Sequence, residues 1–250
     1  VVLGTAAVVE LDWCARVLAA HGARVAAGLD VRVVTGADGA VQYRLAARGG
    51  AGDSGDLWET IARLDEFLPA ARFPVLRERW LHYPNIRKLT DPHVGRSGWK
   101  LVLDSDLLFF RRPDFLIQWL DAPDRPLHAV DCETSYGYDR AHMNELAGAP
   151  VADLVNVGLT GLDGASLDWE KLEHWTRALQ GRAGTSYYLE QALIAMLVAG
   201  RKCAVAPAAD YVTLPRPPEA RACRAVMHHY VAHSKRWYFQ ENWRRCLPPA

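Results

Sequence analysis

Apolar and polar positions recur in two rhythms along the chain. Over residues 6–20, Val9, Trp13 and Val17 share one helical face, which predicts a helix. Residues 30–36 read as a strand running into a turn at Gly36, and the Gly-rich stretch 48–55 as a loop. Helical spacing returns over residues 57–67, behind Asp56, a residue type suited to capping free N–H groups. The apolar run Leu101-Val102-Leu103 enters Asp104-Ser105-Asp106, and a second run, Leu107 to Phe110, leaves it. Residues 115–120 predict a short helix, and 127–131 a second strand that again ends in a carboxylate, Asp131. Residues 154–159 read as a strand or turn, 167–179 and 187–198 as helices, 203–207 as a short strand, and 214–218 as a Pro-rich loop. Strands separated by helices predict an α/β layered fold.

Composition narrows the function. The chain has 250 residues, half of them hydrophobic, enough for one domain with a large core. Lys and Arg total 29, as do Asp and Glu, so a broad electrostatic grip on nucleic acid is excluded. A bound phosphate would need a local device. The five cysteines, Cys14, Cys132, Cys203, Cys223 and Cys246, form no CxxC pair, which disfavours a disulfide framework and a zinc–thiolate site. No apolar run is long enough for a transmembrane anchor. Residues 1–9 are apolar, yet they lack a basic flank and meet Glu10 and Asp12, a poor signal peptide. The expected compartment is the cytoplasm.

Asp104 and Asp106 are two positions apart behind an apolar strand, where strand geometry points both side chains the same way. Neighbouring carboxylates repel, and a shared hard cation resolves the repulsion. A solvated Asp-Ser-Asp turn is the plainer alternative. Far downstream, residues 228–237 gather His228, His229, His233, Lys235 and Trp237. An imidazole can complete the coordination of a manganese-like ion, and a lysine can neutralise a phosphate. The alternative here is an aromatic, basic tail packed on the core.

Together these motifs resemble the retaining glycosyltransferases of the GT-A fold that include glycogenin and the bacterial lipopolysaccharide galactosyltransferases. The D-x-D of that family matches Asp104-Ser105-Asp106. Its C-terminal H-[FY]-x-G-x-x-K-P-W matches residues 229–237 at His229, Tyr230, Lys235 and Trp237, with Ala232 in place of Gly and Arg236 in place of Pro. Between them fall Asp131, Asn156-Val157-Gly158 and Glu190-Gln191 in the family's order, with Glu190 where Asp is usual, and Arg87 as the upstream arginine. The likeness covers residues 80–240.

The resemblance implies a GT-A-like (Rossmann-like) single domain over residues 1–250, with a mixed, mostly parallel sheet flanked by helices. Its nucleotide-binding half would span about 1–110 and its sugar and acceptor half about 111–250. It implies a metal-dependent transferase in which Asp104, Asp106 and His229 hold Mn²⁺ or Mg²⁺. Arg87, Asp104, Ser105, Asp106, Asn156, Lys235 and Trp237 would contact a nucleotide-diphosphate sugar, with UDP as the nucleotide. Asp131 and Glu190 would hold sugar hydroxyls, and Gln191 would lie beneath the anomeric carbon. Transfer would retain configuration, and the acceptor would be a saccharide, a lipid-linked glycan or a small molecule, some relatives working at a membrane surface. Three alternatives stay open: a nucleotide-sugar-binding protein with weak turnover, a nucleotidyltransferase, and an Asp-x-Asp phosphatase. Leu108 argues against the last, because such enzymes place a small hydroxyl residue there.

Overall fold

The computed structural model describes residues 2–3, 29–35, 41–47 and 57–246, with side chains from Thr60 onward. The expected helix at 6–20, the loop at 48–55 and the Asp56 cap lie outside the described residues. In chain order the structure has β1 (Val2–Leu3), β2 (Leu29–Thr35), β3 (Val41–Ala47), α1 (Leu57–Phe67), α2 (Pro74–His82) and the short α3 (Arg87–Thr90). It continues with β4 (Trp99–Leu103), β5 (Leu107–Phe109), α4 (Asp114–Asp121), β6 (Leu127–Val130), α5 (Arg140–Ala147), β7 (Val155–Asp163) and α6 (Trp169–Ala183). The last elements are α7 (Leu189–Leu197), β8 (Ala204–Val205), β9 (Tyr211–Thr213), α8 (Pro217–Ala222), β10 (Met227–His229) and α9 (Lys235–Gln240).

The fold is α/β, a mixed sheet flanked by helices. Among the described residues, five strands form the main sheet in the order β1-β4-β7-β6-β8, and β2 and β3 pair as an antiparallel hairpin. Pairing is parallel between β1 and β4 and between β6 and β8, and antiparallel on both sides of β7. The sheet is therefore evenly mixed among the described strands rather than mostly parallel. The reason is local: α5 joins β6 to β7 at one end of the sheet, so β7 returns against its neighbour. Leu101, Leu103, Leu159 and Leu127 enter one buried cluster with α4 and the C-terminal aromatics Tyr230, Trp237 and Tyr238. Val155, Val157 and Leu162 enter another with α1, α2, α6 and α7. The sheet is thus covered by both.

The helix ends show why the elements stop where they do. Asp139 caps α5 by accepting from the His142 N–H, and Gly148 closes that helix at φ 71°. Asp168 caps α6 through the Lys171 N–H. Helix α2 has no side-chain cap of its own. The buried Glu173 of α6 takes that part, accepting from the backbone N–H groups of Val75 and Leu76 at 3.1 and 2.9 Å. The expected loop at 214–218 is in part helical. Pro217 occupies the first turn of α8, where its missing N–H costs nothing.

After β4 the chain turns through residues 104–106 and leaves the main sheet. β5 then pairs antiparallel with β10, setting His229 opposite Leu107, and β10 runs parallel to β9. That register brings the last residue of β10 beside the end of the Asp-Ser-Asp turn.

Candidate active site

Backbone hydrogen bonds fix the turn before any side chain is considered. The Asp104 N–H donates to the Gly158 carbonyl of β7 at 2.7 Å, and the Asp106 carbonyl accepts from the Tyr230 N–H at 3.0 Å. Two strands distant in sequence therefore clamp the motif from both ends. His229 Nε2 lies 3.2 Å from Asp106 Oδ1 and 3.7 Å from Asp104 Oδ2. One ligand atom from each of the three residues falls within 4.8 Å of the others. Close approach of the ring requires Gly158, where an added Cβ would meet His229 Cε1 at 2.1 Å.

Charge is concentrated here. Lys88 bridges two acids, with Nζ at 2.8 Å from Asp104 Oδ1 and 3.4 Å from Glu190 Oε2. Burial opposes the lysine's charge, but Asp104 and Glu190 more than offset it and hold the ammonium protonated. Lys235 Nζ lies 3.1 Å from Asp106 Oδ2. Burial works to raise the Asp106 carboxyl, yet His229 and Lys235 outweigh it and hold it down at about 2. Burial likewise opposes charge on His229, and Asp106 with Asp104 reverses this and raises its pKa. Glu190 is different: burial dominates over Lys88 and pushes it up to about 7.

These residues line a cavity of about 430 Å³ together with Asp131, Asn156, Gly158, Gln191, Leu214, Ala232 and the aromatic rim Tyr187 and Tyr188. Gln191 Nε2 donates to Asp131 Oδ2 at 2.8 Å and to the Val155 carbonyl at 3.1 Å. Both amide hydrogens are thereby used, and the group left to Gln191 is its carbonyl oxygen. Among the described residues the buried atoms Glu190 Oε1 and Asp106 Oδ1 have no hydrogen-bond donor. An orphaned carboxylate oxygen facing an imidazole nitrogen, with a second carboxylate beside it, is an O,O,N donor set that suits Mn²⁺ or Mg²⁺.

Three of the expected contact residues are not on the cavity. Arg87 stacks its guanidinium 4.5 Å from the Trp80 ring and donates from Nε to the Trp80 carbonyl. Its neighbour Lys88 is the cation that reaches the acids, and nothing in local composition distinguishes the two adjacent basic residues. Trp237 is buried in the C-terminal core, with the guanidiniums of Arg221 and Arg236 at 5.0 and 5.1 Å from its ring. Ser105 is buried, its carbonyl accepting from Tyr238 Oη at 3.3 Å.

Ala232, the residue standing where the resembled motif has Gly, lies at φ 46°. This left-handed conformation strains a residue with a Cβ by about 1–2 kcal/mol. Ala232→Gly is expected to raise unfolding stability by up to about 1 kcal/mol, once the freer unfolded chain is counted. Denaturant melts check this, and an unchanged or lower midpoint contradicts it.

Glu190 yields a pH prediction. A carboxyl whose folded pKa is about 7 instead of 4.5 binds its proton more tightly when folded, so stability falls as pH rises between those values. Glu190→Gln removes the ionisation and should flatten that slope. Melting temperatures measured across the window for both proteins decide it; parallel curves refute the assignment.

No protein-family model matches the chain. Among curated proteins, an imidazole-4-carboxamide isomerase of Rhodococcus erythropolis is 46% identical over 115 residues, covering 42% of this chain and 44% of the relative. Phosphoribosyl isomerase A of Mycolicibacterium vanbaalenii is 45% identical over 111 residues, covering 41% of each. The chain thus spans less than half the length of the curated relatives it matches. Among solved structures, apo mouse xyloside xylosyltransferase 1 aligns at TM-score 0.43 and 13% identity, covering 68% of this chain and 72% of that one. Galactosyltransferase LgtC with donor and acceptor sugar analogs aligns at 0.36 and 14%, covering 60% and 65%. A glycosyltransferase involved in glycosylation of the PBCV-1 major capsid aligns at 0.38 and 16%, covering 67% and 76%. All three scores are low.

Proposed function

We propose that the chain is a metal-dependent glycosyltransferase of the GT-A kind, taking its sugar from a nucleotide diphosphate, UDP by preference. The observation that carries this is the convergence of Asp104, Asp106 and His229 on one side of a cavity whose other walls are Lys88, Lys235, Asp131, Glu190 and Gln191. Those three side chains would hold the cation. When bound, it supplies Lewis-acid stabilisation of the negative charge left on the departing diphosphate. Lys235, half-exposed at the cavity mouth, brings a further positive charge to the same diphosphate. Asp131 holds Gln191 so that its carbonyl oxygen faces the sugar, where positive charge develops in an oxocarbenium-like transition state. Glu190, with a pKa near neutrality and an unpaired oxygen, suits exchange of hydrogen bonds with sugar hydroxyls. Residues 1–250 act in this reading as a single domain, with net retention of configuration. The acceptor is a saccharide, a lipid-linked glycan or a small molecule.

A thermal-shift screen of nucleotides and nucleotide sugars, with and without Mn²⁺, tests this. A ligand at about 100 times its Kd stabilises the folded state by about 2.7 kcal/mol. The expected result is a shift with UDP-sugar that requires the cation, followed by transfer or hydrolysis with retention by NMR. Indifference to every cation and activated sugar, or an inverted product, would refute the reading. The isomerase likeness favours a second reading, in which the matched segment acts on a phosphoribosyl substrate. An isomerisation assay with a phosphoribosyl substrate separates the two.

A further inference from the structure

Asn156 lines the cavity with its side-chain oxygen fully engaged. It sits in β7 at 4% exposure, and its Oδ1 lies 3.0 Å from the Gly158 backbone nitrogen and 3.0 Å from His229 Nδ1. A backbone N–H can only donate, so the side-chain atom facing it is the carboxamide oxygen and not the nitrogen. That oxygen cannot donate to the imidazole. Nδ1 must therefore carry the hydrogen, and in a neutral ring Nε2 is left with a bare lone pair. Nε2 is the atom that lies 3.2 Å from Asp106 Oδ1 and 3.7 Å from Asp104 Oδ2.

We propose that Asn156 is a positioning residue that holds His229 as the Nδ1–H tautomer and so keeps its Nε2 lone pair available to a divalent cation. This rests on the cation-binding reading of Asp104, Asp106 and His229. The opposite tautomer would set a lone pair against the carboxamide oxygen and turn an N–H toward the carboxylates, blocking the ligand atom. Flipping the ring is no escape, because it would set ring C–H groups against the carboxamide oxygen and the Asp106 carboxylate and lose both contacts. A histidine ligand whose second nitrogen donates to an oxygen is oriented and made more basic, and loss of such a partner typically weakens metal binding about 10–100-fold. Nothing in this role requires Asn156 to touch the donor sugar or its phosphates.

Two variants and one spectrum test it. Asn156→Ala removes the acceptor; Asn156→Asp keeps an oxygen that can accept both bonds. Calorimetric titration with Mn²⁺ alone should show affinity reduced about 10–100-fold in Asn156→Ala and largely restored in Asn156→Asp. Nitrogen-15 spectra of the metal-free wild type at alkaline pH should show a protonated Nδ1 and a bare Nε2 on His229. In Asn156→Ala the two tautomers should mix, which mere loss of packing would not produce. If the alanine variant misfolds, the aspartate variant and the wild-type spectrum still decide. Equal Mn²⁺ affinity in folded Asn156→Ala, or a proton on Nε2 of the neutral wild-type ring, overturns the role of Asn156 while leaving the cation site standing. A wild-type protein that binds no Mn²⁺ or Mg²⁺ overturns the site itself, and the ligation role with it.

Discussion

Asp106→Ala is expected to lower Mn²⁺-dependent UDP-sugar turnover by about 10²–10³-fold, because it removes a carboxylate that would hold the charge-stabilising cation. Asp106 is placed to have this effect because its two oxygens face two other groups of the site: Oδ1 lies 3.2 Å from His229 Nε2 and Oδ2 lies 3.1 Å from Lys235 Nζ. Without it, His229 loses the partner that offsets burial, and Lys235 loses its anchor at the cavity. The fold should survive, since the Asp106 backbone carbonyl still accepts from Tyr230. Stability gives an independent readout. A carboxyl held at about 2 when folded and near the ordinary 3.8 when unfolded contributes stability above the higher value and loses it as pH falls through the lower. The stability gap between wild type and Asp106→Ala should therefore narrow in that acid window, and narrow again as pH rises through the titration of His229, whose pKa Asp106 raises. Undiminished metal-dependent turnover in the variant would remove Asp106 from the reaction.

Which parts of this arrangement can be read from sequence follows from how local each signal is. The Asp104-Ser105-Asp106 turn is flanked by apolar runs on both sides, and those runs become β4 and β5. Helix α1 occupies residues Leu57–Phe67 as its spacing predicts. His229 is visible as part of a dense motif, but its pairing with the carboxylates depends on the antiparallel register of β10 with β5, a long-range fact. Arg87 and Lys88 are adjacent and equally basic. Only the pose of α3, set by burial of Ile86 and Leu89, sends the lysine to the acids and the arginine onto Trp80. Trp237 belongs to the same motif as His229, yet an aromatic side chain there fills the core, because burying its large apolar surface outweighs exposing it to a polar cavity. The antiparallel return of β7 was hidden for a related reason: strand direction depends on where α5 crosses, and no residue pattern within β7 records it.

Gly158→Ala is expected to abolish detectable Mn²⁺ binding, a loss of at least about 10²-fold when a ligand is displaced together with the partner that orients it. The obstacle is steric and arises on β7. A Cβ at residue 158 would lie 2.1 Å from Cε1, 2.6 Å from Nδ1 and 2.7 Å from Nε2 of His229, distances at which atoms overlap. The imidazole has little room to yield, being 3% exposed and held through Nδ1 by Asn156. The strand cannot yield freely either, because the Gly158 carbonyl accepts from Asp104 N–H and its own N–H donates to Asn156. Relief must come from swinging the ring out or shifting the Asp104 turn, and each separates Nε2 from the carboxylates. Overpacking of this kind typically costs about 1–3 kcal/mol, so a reduced but cooperative melt should accompany the lost metal binding. Asn156→Ala offers the contrast: it frees the ring without pushing it, so its binding should weaken and not vanish. Retention of wild-type Mn²⁺ affinity in Gly158→Ala would mean that His229 does not need its place against β7, and the three-residue cation site would lose its imidazole.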